Sequence, residues 1–120
     1  MQDFRKLKVW EKAHHLVVKL YEVTDSLPKS EHFGLTSQIR RAAVSIPTNI
    51  AEGCGRGSDP DFRRHLFIAM GSASEVEYLV LLATELRFIK DDPSTKLTAA
   101  VIEVKQMLAA LIKRISNERP

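Results

Sequence analysis

The 120-residue chain has one cysteine, one tryptophan and 7% aromatic residues in all. A lone cysteine, Cys54, excludes an intramolecular disulfide and fits a reducing cytoplasm. No apolar run approaches the roughly 20 residues of a membrane span. The opening Met1-Gln2-Asp3-Phe4-Arg5-Lys6 lacks the apolar stretch of a signal peptide. The expectation is therefore a cytoplasmic protein without a membrane partner. Charge of one sign is also scarce. Lys and Arg exceed Asp and Glu by only +3, well below the excess of a dedicated nucleic-acid binder.

Catalytic and metal-binding patterns are missing too. Glu11 and His14 form one Glu-x-x-His, but a di-iron bundle needs two, and no other histidine has a glutamate three residues before it. Gly53-x-Gly55-x-Gly57 lacks the Gly-Lys-Ser/Thr ending of a phosphate loop, and Asp59 beside it would repel an anion. Cys54 has no histidine or acid arranged to activate it and reads as a partly exposed, inert thiol. The expectation is a protein that is not an enzyme and holds no metal or cofactor.

What remains is a 44% hydrophobic chain whose apolar residues recur at helical spacing, with no strand-like alternation. Its length suits one domain over residues 1–120. A first helix is expected over 8–27, with Trp10, Ala13, Val17, Leu20, Thr24 and Leu27 on one face. Pro28 stops it. The second spans 33–53 through Leu35, Ile39, Ala42, Ile46 and Ile50. Pro47 lies inside it, and because the apolar phase continues across the proline, a kink is expected rather than two helices. Gly53 reads as a left-handed cap. Asp59-Pro60 opens a third helix over 59–87, lined by Phe62, Leu66, Ala69, Ala73, Val76, Val80 and Ala83. Asp92-Pro93 opens a fourth, lined by Leu97, Val101, Val104, Leu108, Leu111 and Ile115. Short loops make consecutive helices antiparallel, so the fold class is all-α: an up-down-up-down four-helix bundle with a kinked second helix. Apolar residues outside these stripes, among them Val9, Leu16, Met70, Tyr78 and Ile102, suggest a second face buried between copies, the alternative being a wider core stripe.

Two polar groups stand out. Arg41, Ser45, Asn49 and Glu52 share one face of the second helix. Across an antiparallel turn, Arg41 comes level with Gly71 to Glu75, which predicts a structural polar network of Arg41, Ser45, Asn49, Glu52 and Glu75. Basic residues gather at Arg5-Lys6-x-Lys8 with Lys12, at Arg40-Arg41 with Arg56, and at Arg63-Arg64. Arg56, Arg63, Arg64, Lys113 and Arg114 are expected at one bundle end, as candidate contacts to nucleic-acid phosphates, with the start of the first helix at the opposite end.

Three stretches carry a resemblance: Leu7-Lys8-Val9-Trp10-Glu11-Lys12-Ala13, the block from Gln38 to Gly53, and Ala69-Met70-Gly71-Ser72-Ala73-Ser74-Glu75. Together they resemble the four-helix-bundle family of the 23S rRNA-intervening-sequence proteins, across essentially the whole chain. The resemblance implies a homopentameric ring, no enzymatic activity, and no catalytic role for the motif residues. A related group, the accessory proteins of diversity-generating retroelements, implies RNA or a nucleoprotein as partner through a basic surface. The alternative is a protein-binding scaffold without nucleic-acid activity.

Overall fold

A computed structural model describes residues 2–117. Four helices form a bundle, and no strand occurs among the described residues: α1 (Lys8–Thr24), α2 (Leu35–Cys54), α3 (Asp59–Glu85) and α4 (Asp91–Asn117). Single helical turns precede α1 (Phe4–Lys6) and α2 (Lys29–Glu31). Each helix packs antiparallel to the next, α4 closes against α1, and the result is a rod of 51 × 23 × 20 Å. One end carries the chain start, the α2–α3 turn and the end of α4.

The core follows the expected stripes on α2, α3 and α4, all of whose named apolar residues are buried. On α1 the buried set is Val9, Ala13, Leu16, Leu20 and Thr24. Trp10 and Val17 lie at the core's edge instead. The face is rotated by one residue because Val9–Trp10 and Leu16–Val17 are adjacent apolar pairs that satisfy either phase. Trp10 finds its place between rings, edge-on to Phe4 at 4.9 Å and stacked on His14 at 5.0 Å. α1 also ends earlier than expected. Thr24 Oγ1 turns back to donate to the Leu20 carbonyl at 2.6 Å, and Leu27 lies in the turn that follows.

α2 runs unbroken through Pro47, so the two-helix alternative falls; the ring itself is buried in the bundle. The expected cap at Gly53 is not left-handed, and among the described residues no glycine has positive φ. The helix continues to Cys54 and ends on Gly55 at φ −83°. Gly53 is needed for a different reason. A Cβ there would lie 2.7 Å from Phe62 Cδ1 and 3.1 Å from His65 Cβ, so the missing side chain lets α2 and α3 approach. Gly53→Ala is expected to destabilise by about 1–2 kcal/mol in urea unfolding, because overpacking outweighs the roughly 1 kcal/mol of helix propensity gained. A neutral or stabilising result would mean that Phe62 yields freely.

α3 starts at Asp59 as read, but its cap is Ser58 and not Asp59, the Ser58 Oγ accepting from the Asp61 N–H at 3.4 Å, with Pro60 inside the first turn. It closes with Arg87 in the left-handed region at φ 67°. There Phe88 donates to the Ala83 carbonyl and Arg87 to that of Thr84, the paired bonds of a Schellman stop. α3 and α4 are tied by Lys105 Nζ on Glu77 Oε1 at 2.9 Å and by Thr84 Oγ1 on Ser94 Oγ at 2.7 Å.

α3 is long and apolar enough, by length and composition, to cross a membrane, with an 18-residue window of mean hydropathy 1.5. Its apolar residues divide between the core face and an outer stripe. Phe67, Tyr78 and Leu81 are more than half exposed along that stripe, with Gly71 and Ser74 between them. The least extensive contact between neighbouring helices is that of α1 with α4. A groove of about 540 Å³ separates them, floored by Leu16, Val23 and Leu97.

Candidate nucleic-acid interface and buried polar seam

The seam between α2 and α3 begins with small polar side chains spaced by one turn. Ser45 and Asn49 stand four apart on α2 and point toward α3. Asn49 Nδ2 donates to the Ser45 carbonyl at 2.9 Å and to Ser45 Oγ at 3.0 Å. Ser45 Oγ is 2.8 Å from Ser72 Oγ. A carbonyl only accepts, so the amide orientation of Asn49 is fixed and its Oδ1 must accept. The group facing that oxygen, at 3.1 Å, is His65 Nδ1, which therefore carries the proton. His65 is only 4% exposed, and its Nε2 is buried with no hydrogen-bond partner among the described residues.

Of the residues expected in this network, Ser45 and Asn49 are brought together. Glu52 sits at its margin, half exposed, 3.9 Å from His65 Nδ1 and 3.8 Å from Arg56. Arg41 and Glu75 are exposed, with no hydrogen bond or ion pair among the described residues, so both fall outside the network. Arg41 lies one turn before Ser45 and lines a groove with Tyr21 and Phe33, and Glu75 lies three residues past Ser72, both exposed to water. His65 and Ser72 are the members that sequence reasoning missed. The signal for them is hairpin arithmetic: Ser45, Asn49 and Gly53 climbing α2 meet Ser72, His65 and Phe62 descending α3.

Cys54 is buried rather than partly exposed. Burial pushes its thiol above the ordinary range, and the charge of Asp3 adds to the effect. At pH 8 the native protein is expected to react with iodoacetamide at least about ten-fold more slowly than the urea-unfolded chain. Equal rates would place the thiol in solvent. Among the described residues no group of three or more His, Cys, Asp or Glu is placed to hold a metal, and His14 of the Glu-x-x-His packs on Trp10.

The basic residues separate into two sets. Arg40 belongs to the end away from the α2–α3 turn, with its guanidinium committed to α1. Nε donates to Thr24 Oγ1 at 2.9 Å, and Nη2 donates to the Tyr21 carbonyl at 3.2 Å and to Asp25 Oδ1 at 3.0 Å. Arg56, Arg63, Arg64, Lys113 and Arg114 lie around the end that carries the α2–α3 turn. The start of the chain is there too, not at the opposite end as expected. Gln2 lines a cavity with Cys54, Arg56 and Phe62, while Lys6 and Lys8 line another with Leu111 and Arg114. Direction explains this, because α1 antiparallel to α2 must begin where α2 ends. Lys6 and Lys8 therefore join the cationic end. Arg56 and Arg64 lean on Glu52 and Asp61 at 3.8 and 3.9 Å, exposed pairs of little strength. Lys6, Lys8, Arg63 and Lys113 have no ion pair among the described residues.

Fold and seam together define an all-helical up-down-up-down bundle whose middle hairpin is locked by a hydroxyl–amide–imidazole chain. The chain belongs to the 23S rRNA-intervening sequence protein family, whose model matches residues 5–110. It is similar to a crystal structure from Bacteroides thetaiotaomicron VPI-5482, a protein of unknown function from the S23 ribosomal protein family. The two share 27% identity over 88% of this chain and 98% of that one, with a TM-score of 0.82. No curated protein matches the chain significantly.

Proposed function

We propose that this chain is a non-catalytic, self-associating bundle, a pentamer as the family resemblance implies, that holds structured RNA against its cationic end. The observation that carries the reading is the gathering of Lys6, Lys8, Arg63 and Lys113 at one end without carboxylate partners among the described residues, beside weakly paired Arg56 and Arg64. Cations so placed neutralise phosphates and release counterions, and a ring would set several such ends on one surface. Self-association has its own support in the outer stripe of α3, where Phe67, Tyr78 and Leu81 leave apolar area in water.

The test is anisotropy of a labelled RNA hairpin, titrated from low to physiological salt. Binding with a steep salt slope is expected. The double variant Arg63→Ala/Arg64→Ala should weaken it about ten-fold or more and flatten the slope by about 0.7–0.9 for each phosphate no longer neutralised. No binding, or binding indifferent to those changes, would leave the charge a matter of solubility. Light scattering tests the assembly separately: the wild type should exceed the 13.5 kDa of one chain, and Tyr78→Glu/Leu81→Glu should return it to that mass. A wild type at the mass of one chain would end the assembly proposal.

A further inference from the structure

At the end opposite the cationic one, the structure gathers aromatic rings and arginines that neither the core nor the seam uses. Phe33, in the turn before α2, is 94% exposed, so its phenyl ring contributes almost nothing to folding by burial. The His32 ring stands edge-on to it, with centroids 4.7 Å apart. Tyr21, near the end of α1, is also exposed, and the Arg40 guanidinium covers its ring at 4.5 Å. Arg41 is exposed with no hydrogen bond or ion pair among the described residues. These five residues and Thr36 line one groove of about 410 Å³.

The geometry points to a site for one unpaired nucleotide of single-stranded RNA, its base stacked on Phe33 and its phosphate on Arg41. An aromatic face left open beside a cation is the pairing that binds bases without reading their sequence. A base inside a duplex already has both faces covered, so the open ring selects an unstacked one. The start of α2 cannot serve as the phosphate site, because Glu31 Oε1 already accepts from the Leu35 N–H there at 3.2 Å and would repel an anion. Arg40 is held by Asp25 and the end of α1, which leaves Arg41 as the cation able to turn to a phosphate. The residues are different from those of the cationic end, and the inference goes beyond that reading.

The probe is a ten-nucleotide single-stranded RNA with a central 2-aminopurine, whose fluorescence falls on stacking. Quenching is expected with the wild type. It should be lost in Phe33→Ala and kept in Phe33→Trp, and Arg41→Ala should weaken binding about ten-fold. The same sequence annealed to its complement should show no quenching by the protein. Quenching that ignores Phe33→Ala overturns the site. So does a Phe33→Ala variant that changes the mass of the assembly while nucleotide binding stays the same, since the ring would then be a contact between copies. Hairpin binding lost in Arg63→Ala/Arg64→Ala with quenching retained would leave both readings standing. Hairpin binding without quenching removes this site alone, and quenching by a wild type that binds no hairpin removes the cationic end alone.

Discussion

Asn49→Ala is expected to lower the unfolding free energy by about 3 kcal/mol, the largest loss of any single polar side chain in the bundle. The carboxamide serves the Ser45 carbonyl, Ser45 Oγ and His65 Nδ1 at once. Removing it leaves buried His65 without a hydrogen bond, its Nδ1 facing only the Glu52 carboxylate at 3.9 Å and its Nε2 already without a partner among the described residues. An orphaned buried donor costs about 1–3 kcal/mol on its own, and the lost bonds and the cavity add to it. Asn49→Asp separates the halves of the effect. The carboxylate can still accept from His65 but sets a negative charge against the Ser45 carbonyl, so only part of the stability should return. Urea unfolding at matched protein concentration should show a lower midpoint with an unchanged slope. A loss below about 1 kcal/mol would mean that the seam is a consequence of packing and not a cause of register.

Arg40→Ala is expected to cost about 2–3 kcal/mol, read as a fall of roughly 10 °C in Tm. Its three hydrogen bonds join α2 to the last turn of α1, where unpaired carbonyls would otherwise face water. Thr24 completes the arrangement, accepting from Arg40 Nε while donating to the Leu20 carbonyl. Arg40→Lys should recover little, because an ammonium cannot replace a planar fork spread over three acceptors. The same variants should bind the RNA hairpin with an unchanged salt slope, since Arg40 stands at the wrong end to touch it. A stable Arg40→Ala protein with a flattened slope would reverse the assignment.

The helices were legible because stripes such as Leu35–Ile39–Ile46–Ile50 stand mostly among polar neighbours, which leaves one phase. α1 was misphased by one residue where apolar side chains stand in adjacent pairs, and burial there depends on which helix arrives alongside. Ser45 and Asn49 were legible as a one-turn repeat. Their partners His65 and Ser72 were not, because they meet the repeat only through the register of two helices. Gly53, where α2 and α3 approach closely beside Phe62 and His65, reads in sequence as a helix cap. Arg41 looked like a member because it continues the spacing of Ser45 and Asn49, and Glu75 because it stands level with Arg41, but both side chains are exposed and make no hydrogen bond or ion pair among the described residues. The basic end was half legible: its cations on α3 and α4 followed from chain direction, while Lys6 and Lys8 were placed at the wrong end. Phe33 and Tyr21 passed unnoticed, since exposure of an aromatic ring has no local signature.

The wide groove between α1 and α4 bears on the order in which the bundle comes apart. α3 is gripped on both sides, by the seam with α2 and by the Glu77–Lys105 pair with α4. α1 is gripped firmly on one side only, through Arg40, and meets α4 across open space bridged by an exposed Lys12–Glu103 pair at 3.5 Å. Local opening is therefore expected to begin with α1 at its junction with α2, read as amide exchange that is faster in α1 than in α2, α3 and α4. In that partly open form the α4 wall of the groove, with Leu97 and Ala100, loses its cover. The looseness of one seam thus makes α1 the helix whose amides are expected to exchange first.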